Sequence, residues 1–227
     1  MTEEKLYADY LQIVRSFRKY LEKRQGIPKR EDREGNSLEK KNPERLLKAL
    51  YRSMRNCRKC PLFKKRTHLV FGEGNPEAKL MLIGEAPGKN EDLKGKPFVG
   101  AAGSVLTEAL QRFNIPVSQI YIANVLKCRP PGNRDPSPEE IETCFPYLKR
   151  QIEIINPRLI CTLGKFAAQV LLNTKQGITS LRGRRQYYKK ITLIPIFHPA
   201  ACIYKPNWKK LFLKDMEMIK EILESDF

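Results

Sequence analysis

The sequence predicts an α/β fold, a three-layer α/β/α arrangement with a central, mainly parallel four-stranded sheet. Three observations lead there. Strand-like apolar runs alternate with helix-period segments, the step Ser137-Pro138-Glu139-Glu140 announces a long helix between two of them, and a Gly/Pro-rich loop follows the apolar run Leu80 to Ile83. In such a sheet, ligands bind at the carboxyl ends of the strands.

Residues 3–24 place Leu6, Tyr10, Ile13, Val14, Phe17 and Leu21 at helical spacing, which predicts one amphipathic helix. Residues 25–43 turn polar, charged and Gly/Pro-punctuated, which reads as a linker. The expected organisation is therefore an N-terminal helix and linker over 1–43 and one α/β domain over 44–227. Within that domain a helix over 44–56 leads to a cysteine pair. Strand 79–83, helix 102–113 and strand 120–124 follow. Ser137 then supplies an N-cap, Pro138 a first-turn proline and Glu140 an N3 carboxylate, predicting a helix through Ile155. Strand 158–163, helix 165–172, strand 192–197 and a last helix over 207–224 complete the order.

The 227 residues are enough to bury a full core, with 41% hydrophobic and 30% charged content as in soluble domains. No apolar run is long enough to span a membrane, and the acidic start MTEEK lacks the pattern of a secretion signal, so an intracellular, cytoplasmic protein is expected. Forty-three Lys and Arg against 25 Asp and Glu leave a formal charge of +18, which points to a polyanion, nucleic acid before a membrane surface. Basic clusters recur at 52–59, 64–66, 182–185 and 205–210, with Tyr187, Tyr188, Tyr204 and Trp208 interleaved. One such run alone would read as a solvated face.

The loop Gly84-Glu85-Ala86-Pro87-Gly88 through Gly103 carries five glycines and two prolines, more than a surface turn needs. It reads as a ligand-holding loop ahead of a helix N-terminus. It is not a phosphate-binding P-loop, since neither G-x-x-x-x-G-K-[ST] nor G-x-G-x-x-G is present. Six cysteines in a protein of this kind favour metal or thiol chemistry over disulfides. Cys57 and Cys60 form a C-x2-C-P step, Cys128 follows the run Ala123 to Lys127, and Cys144 comes sixteen positions later inside the predicted helix. Four thiolates suit zinc or an iron-sulfur centre, and spacing alone leans to zinc. Cys161 and Cys202 read as small buried side chains.

Taken together, GEAPGKNEDLKGKPFVGAAG, Asn124 at a strand end, the four cysteines and His198-Pro199-Ala200 closely resemble the family 4 uracil-DNA glycosylases, the iron-sulfur type of bacteria and archaea. The resemblance runs from about Arg52 to the C-terminus and leaves residues 1–43 uncovered. It implies a 4Fe-4S cluster on Cys57, Cys60, Cys128 and Cys144, overruling the lean to zinc. It also implies uracil as the target, in single- or double-stranded DNA, in a monomeric, nucleoid-associated prokaryotic enzyme.

By the same resemblance Phe98 stacks on uracil, Asn124 reads its O4 and N3-H edge, and Glu91 lies by C5, where a thymine methyl would collide. His198 donates toward O2 as charge develops, while Glu85 and the Ala86 main chain hold the attacking water. On their own these residues would pass for a core Phe, a turn-capping Asn, a loop carboxylate and a loop His. The best-known branch of the superfamily carries a catalytic Asp where this chain has Ala86, so no strong general base is evident. Arg182, Arg184, Arg185 and Lys205 are expected to contact DNA phosphates, with Ile203 or Tyr204 as wedge. The competing expectation is a non-catalytic iron-sulfur module that binds DNA or a polymerase. The N-terminal extension is a candidate arm for a protein partner.

Overall fold

The computed structural model describes residues 42–225. The helix and linker expected before Asn42 lie outside them. Among the described residues six strands form one sheet: Glu73–Gly74 (β1), Leu80–Gly84 (β2), Ile120–Asn124 (β3), Leu159–Leu163 (β4), Gln186–Tyr188 (β5) and Ile191–Ile196 (β6). Their order is β1-β3-β2-β4-β6-β5. The four central strands pair in parallel, and the two short edge strands, which the sequence reading lacked, pair antiparallel. Every residue of β2 and β4 is buried, the signature of parallel strands covered on both faces.

Among the described residues eight α-helices surround the sheet: Pro43–Met54 (α1), Lys89–Lys94 (α2), Ala101–Arg112 (α3), Pro138–Ile155 (α4), Lys165–Leu172 (α5), Ile178–Leu181 (α6), Pro199–Tyr204 (α7) and Pro206–Ser225 (α8). Because side chains alternate along a strand, the sheet feeds two separate cores. Met81, Ile83, Tyr121, Ala123 and Ile160 pack under Leu47 of α1, Leu148 and Ile152 of α4, and Ala167 and Leu171 of α5. Leu80, Leu82, Ile120, Cys161 and Ile194 pack under Leu106 and Leu110 of α3 and Phe212, Met216 and Ile219 of α8. The expected three layers follow directly. Among the described residues no helix is long and apolar enough to cross a membrane.

The start of α4 shows how local chemistry sets an element. Ser137 Oγ accepts from the Glu140 N-H while the Glu140 carboxylate accepts from the Ser137 N-H, a reciprocal capping box with Pro138 in the first turn. Glu140 does more than cap. Its two oxygens also accept from Arg134 Nη1 at 2.9 Å and Nη2 at 2.6 Å, which ties the preceding loop to the helix.

Candidate active site and cysteine cavity

The carboxyl edge of the parallel sheet gathers the residues expected to act. In the β2–β3 register Gly84 stands opposite Asn124, and His198 follows β6 as the N-cap of α7. Glu85, Ala86, Glu91, Phe98, Asn124 and His198 all line one cavity of about 320 Å³. That is at the small end of ligand pockets, which run from ~300 to 1,000 Å³.

Two glycines make the convergence possible. A Cβ on Gly84 would lie 2.3 Å from Asn124 Oδ1 and 3.0 Å from two ring carbons of Phe98, so only hydrogen lets both side chains close over the strand end. A Cβ on Gly103 would lie 1.9 Å from the Phe98 carbonyl oxygen, so the loop folds directly onto α3. Phe98 itself has φ +52°, a left-handed conformation that a bulky residue adopts only when its surroundings hold it there. Its ring stacks toward His198 with centroids 5.8 Å apart and planes 29° from parallel.

Glu91, in the first turn of α2, accepts through Oε1 from the main-chain N-H groups of Val99 and Gly100, each at 2.9 Å. It thereby binds the start of α3 while still lining the cavity, a second duty that the sequence did not reveal. Asn124 is 2% exposed, and its Oδ1 is buried with no protein partner. An unpaired buried amide oxygen is costly unless a water or a ligand meets it, and this one belongs to a residue that lines the cavity.

His198 Nδ1 accepts from the Ala200 N-H at 3.1 Å. The other ring nitrogen, Nε2, therefore carries the proton in the neutral ring. Burial pushes the His198 pKa down to about 4, against a smaller opposing pull from Glu91, so the imidazole is neutral at pH 7. Glu85 moves the other way. Burial, reinforced by the nearby Asp135, pushes its carboxyl up to about 7, while Lys165 resists. The edge thus presents an aromatic face, an unpaired amide, a neutral imidazole donor and a carboxyl titrating near neutrality.

The cysteines assemble at a second place. Cys57, Cys60, Cys128 and Cys144 line one small cavity together with Arg66 and Lys127. Donors already point at three of the sulfurs: Arg66 Nη1 to Cys128 at 3.1 Å, the Lys127 N-H to Cys144 at 3.3 Å and Tyr147 Oη to Cys57 at 3.8 Å. Such donors suit sulfur that carries negative charge. Among the described residues no three His, Cys, Asp or Glu side chains gather tightly enough to share one metal ion. Four thiols around one cavity, with donors aimed at the sulfurs, suit a sulfur-ligated metal group. Cys161, in β4, and Cys202, in α7, are buried elsewhere, as expected. His68 also stays apart, its Nδ1 3.0 Å from the Asp92 carbonyl.

Three basic residues differ from the sequence expectation. Arg182 is tied to Asp215 through Nε and Nη2, gives Nη2 also to the Leu211 carbonyl at 2.9 Å, and lies over the Phe197 ring, so its guanidinium braces α8. Lys127, which in sequence sits beside Cys128 and Arg129 like one more surface cation, is only 1% exposed, and burial lowers its pKa to about 8. Arg134 and Asn133, which the sequence reading passed over, line the active-site cavity. The turn signal Pro130-Pro131-Gly132 directly ahead of the capping box could have drawn attention to them. Arg184, Arg185 and Lys205 stay exposed, with Lys205 Nζ 4.0 Å from the Trp208 ring centre. On α7 Ile203 is exposed and Tyr204 is 84% exposed.

Comparison with known proteins agrees with the geometry. The family model described as the uracil DNA glycosylase superfamily matches residues 71–223. The chain is 46% identical over 181 residues to a type-4 uracil-DNA glycosylase of Archaeoglobus fulgidus, covering 76% of this chain and 91% of the relative. It is 45% identical to that of Sulfurisphaera tokodaii, covering 74% and 80%, and 40% identical to that of Thermotoga maritima, covering 81% and 97%. With its parallel sheet edge, the cavity at that edge and relatives this similar over most of their length, the chain belongs to the uracil-DNA glycosylase superfamily, as a type-4 uracil-DNA glycosylase.

Proposed function

We propose that the protein flips uracil out of DNA into the 320 Å³ pocket and hydrolyses its N-glycosidic bond, releasing free uracil and leaving an abasic site. The buried, unpartnered Oδ1 of Asn124, between Gly84 and the Phe98 ring, carries the reading. An amide fixed there accepts from uracil N3-H and donates to O4, and it mismatches cytosine at both positions. Phe98 stacks on the extruded base, and Glu91 bars a C5 methyl.

The C1′–N1 bond breaks with its electron pair passing to uracil, and the His198 Nε2-H stabilises the charge that collects on O2. An imidazole that stays neutral is suited to donate in this way without first giving up a proton. Water then adds to the oxocarbenium-like sugar. Glu85, raised to about 7, holds that water with the Ala86 main chain and takes its proton, supplying the base that an Asp at Ala86 would otherwise supply.

Cys57, Cys60, Cys128 and Cys144 hold a 4Fe-4S cluster in this reading, supported by their shared cavity and the donors aimed at the sulfurs. When bound, that group supplies a structural cross-link between the segment after α1, the loop after β3 and α4. Exposed Arg184, Arg185 and Lys205 meet phosphates, and Ile203 or Tyr204 fills the gap left by the flipped base. Residues 44–227 act as the glycosylase domain, as a monomer, with 1–43 as an appended segment.

Purified protein incubated with an oligonucleotide holding one uracil should release uracil and leave an alkali-labile site. Binding without any abasic product at high enzyme concentration would instead establish the non-catalytic module.

A further inference from the structure

Lys127 is among the largest fully buried side chains of the described residues, and nothing in the proposed reaction uses it. A buried ammonium is costly unless its donors are met, and a carboxylate is the usual partner. Here both acceptors are neutral. Nζ donates to the Asn124 carbonyl oxygen at 2.8 Å and to Gln151 Oε1 at 2.6 Å. Gln151 belongs to α4 and is held in turn, its Nε2 donating to the Phe71 carbonyl at 3.0 Å and to Tyr121 Oη at 3.3 Å. The Lys127 main chain is anchored as well. Its N-H reaches Cys144 Sγ at 3.3 Å, and its carbonyl accepts from the Val70 N-H at 2.8 Å.

One residue therefore spans the two special places of the molecule. Lys127 lines the cysteine cavity and grips the main chain of Asn124, which lines the uracil pocket. The Asn124 carboxamide is set between Gly84, which offers no side chain, and the Phe98 ring, and no hydrogen bond fixes its Oδ1. Its direction is inherited from the main chain at the end of β3. An apolar side chain of equal length would fill the same volume without burying charge, so packing alone does not account for a lysine.

We infer that Lys127 is a positioning residue for base recognition, clamping the Asn124 main chain to Gln151 and to the Cys144 side of the cysteine cavity so that the carboxamide stays aimed at the uracil edge. This rests on the proposed role of Asn124 as reader. The clamp acts on recognition of the flipped base and leaves general DNA affinity alone, because Lys127 is out of reach of any phosphate.

The test uses the iron-loaded protein and a Lys127→Met variant, which keeps the length and removes the donors. Fluorescence anisotropy gives Kd for a single-stranded oligonucleotide carrying one 2′-fluoro-2′-deoxyuridine, which resists hydrolysis, and for the same strand with thymine there. The expected result is about tenfold weaker binding of the uracil strand, about 1.4 kcal/mol, unchanged binding of the thymine strand and wild-type iron content. A lower melting temperature with an unchanged ratio of the two Kd values would reduce Lys127 to a structural role and overturn the inference. If Lys127→Met fails to fold or to load iron, Gln151→Leu decides, since it removes one acceptor and leaves Asn124 untouched. There a smaller fall in the ratio supports the clamp, and a wild-type ratio overturns it. Should the wild-type protein itself fail to prefer the uracil strand, the reader role of Asn124 falls and takes the inference with it, whereas a wild-type preference that both variants keep overturns the inference alone.

Discussion

Replacing Gly84 with alanine should lower kcat/KM on uracil-containing DNA about 100-fold while the protein stays folded. The added Cβ would stand 2.3 Å from Asn124 Oδ1 and 3.0 Å from Phe98 ring carbons. Favourable contacts of carbon begin near ~3.5 Å, so the amide oxygen must retreat by about 1 Å and the ring by about half that. A 1 Å misplacement of a recognition group costs about 10²-fold, or about 2.7 kcal/mol at 1.36 kcal/mol per tenfold. The main chain is not the obstacle, since Gly84 is not among the positive-φ glycines. Overpacking costs about 1–3 kcal/mol of stability, which at about 2–4 °C per kcal/mol lowers the melting temperature but leaves a folded protein. Single-turnover excision from a labelled oligonucleotide, scored as alkali-labile product well below the melting temperature, measures the effect. Gly177→Ala is the control, because its Cβ would meet only Thr179 Oγ1 at 3.8 Å. Activity of Gly84→Ala within threefold of wild type would refute the idea that Asn124 and Phe98 act from the positions described.

Four further outcomes follow from the pocket and the cysteine cavity. With its carboxyl raised to about 7, Glu85 must ionise to hold and deprotonate water, so kcat/KM should fall about tenfold per unit below that pH, and Glu85→Gln should be slow with a flat profile. The stability sign runs the other way: a buried carboxyl whose folded pKa exceeds its ordinary 4.5 costs stability as pH rises through about 7, so Glu85→Gln should gain relative to wild type at pH 8 and not at pH 4, read by thermal melts. His198→Ala should lose about 10²–10³-fold in kcat, the cost of removing one preorganised donor. Since His198 is held near 4, its loss should leave the shape of the pH profile between 5 and 9 unchanged. Cys128→Ala should abolish broad visible absorbance and bound iron in the purified protein; colour retained at full iron content would remove Cys128 from the ligand set.

How far the sequence could be read depended on how local the determining forces are. The bounds of α4 followed from Ser137, Pro138 and Glu140 within four residues of chain, and β3 ended where expected, at Asn124. Helices α2, α6 and α7 and strands β1 and β5 have two to six residues, too few to display a period. Strand β1 exists only because Glu73 and Gly74 find Ile122 and Tyr121 far along the chain. Cationic side chains were the least legible. Lys127 and Arg182 look in sequence like any others of a +18 chain, and only the folded positions of Gln151 and Asp215 take them out of the basic surface. The pocket residues were legible through the family resemblance; their individual chemistry was not. The tautomer of His198 depends on the Ala200 N-H, and the shift of Glu85 on burial in the folded site and, second, on Asp135, a loop residue fifty positions away.

The parallel register that sets Gly84 opposite Asn124 continues past both strand ends, where the N-H groups of Val125 and Leu126 donate to the carbonyls of Gly84 and Glu85 at 2.9 Å each. The walls of the pocket are thus the last rungs of a central ladder of the sheet, with β2 buried throughout and β3 nearly so. They have no local opening reaction of their own, because freeing Asn124 from Gly84 means unzipping β2 from β3. Amide protons of Val125 and Leu126 should exchange only through global unfolding, and on heating catalysis should vanish together with the sheet, with no interval in which a folded protein has lost its aim.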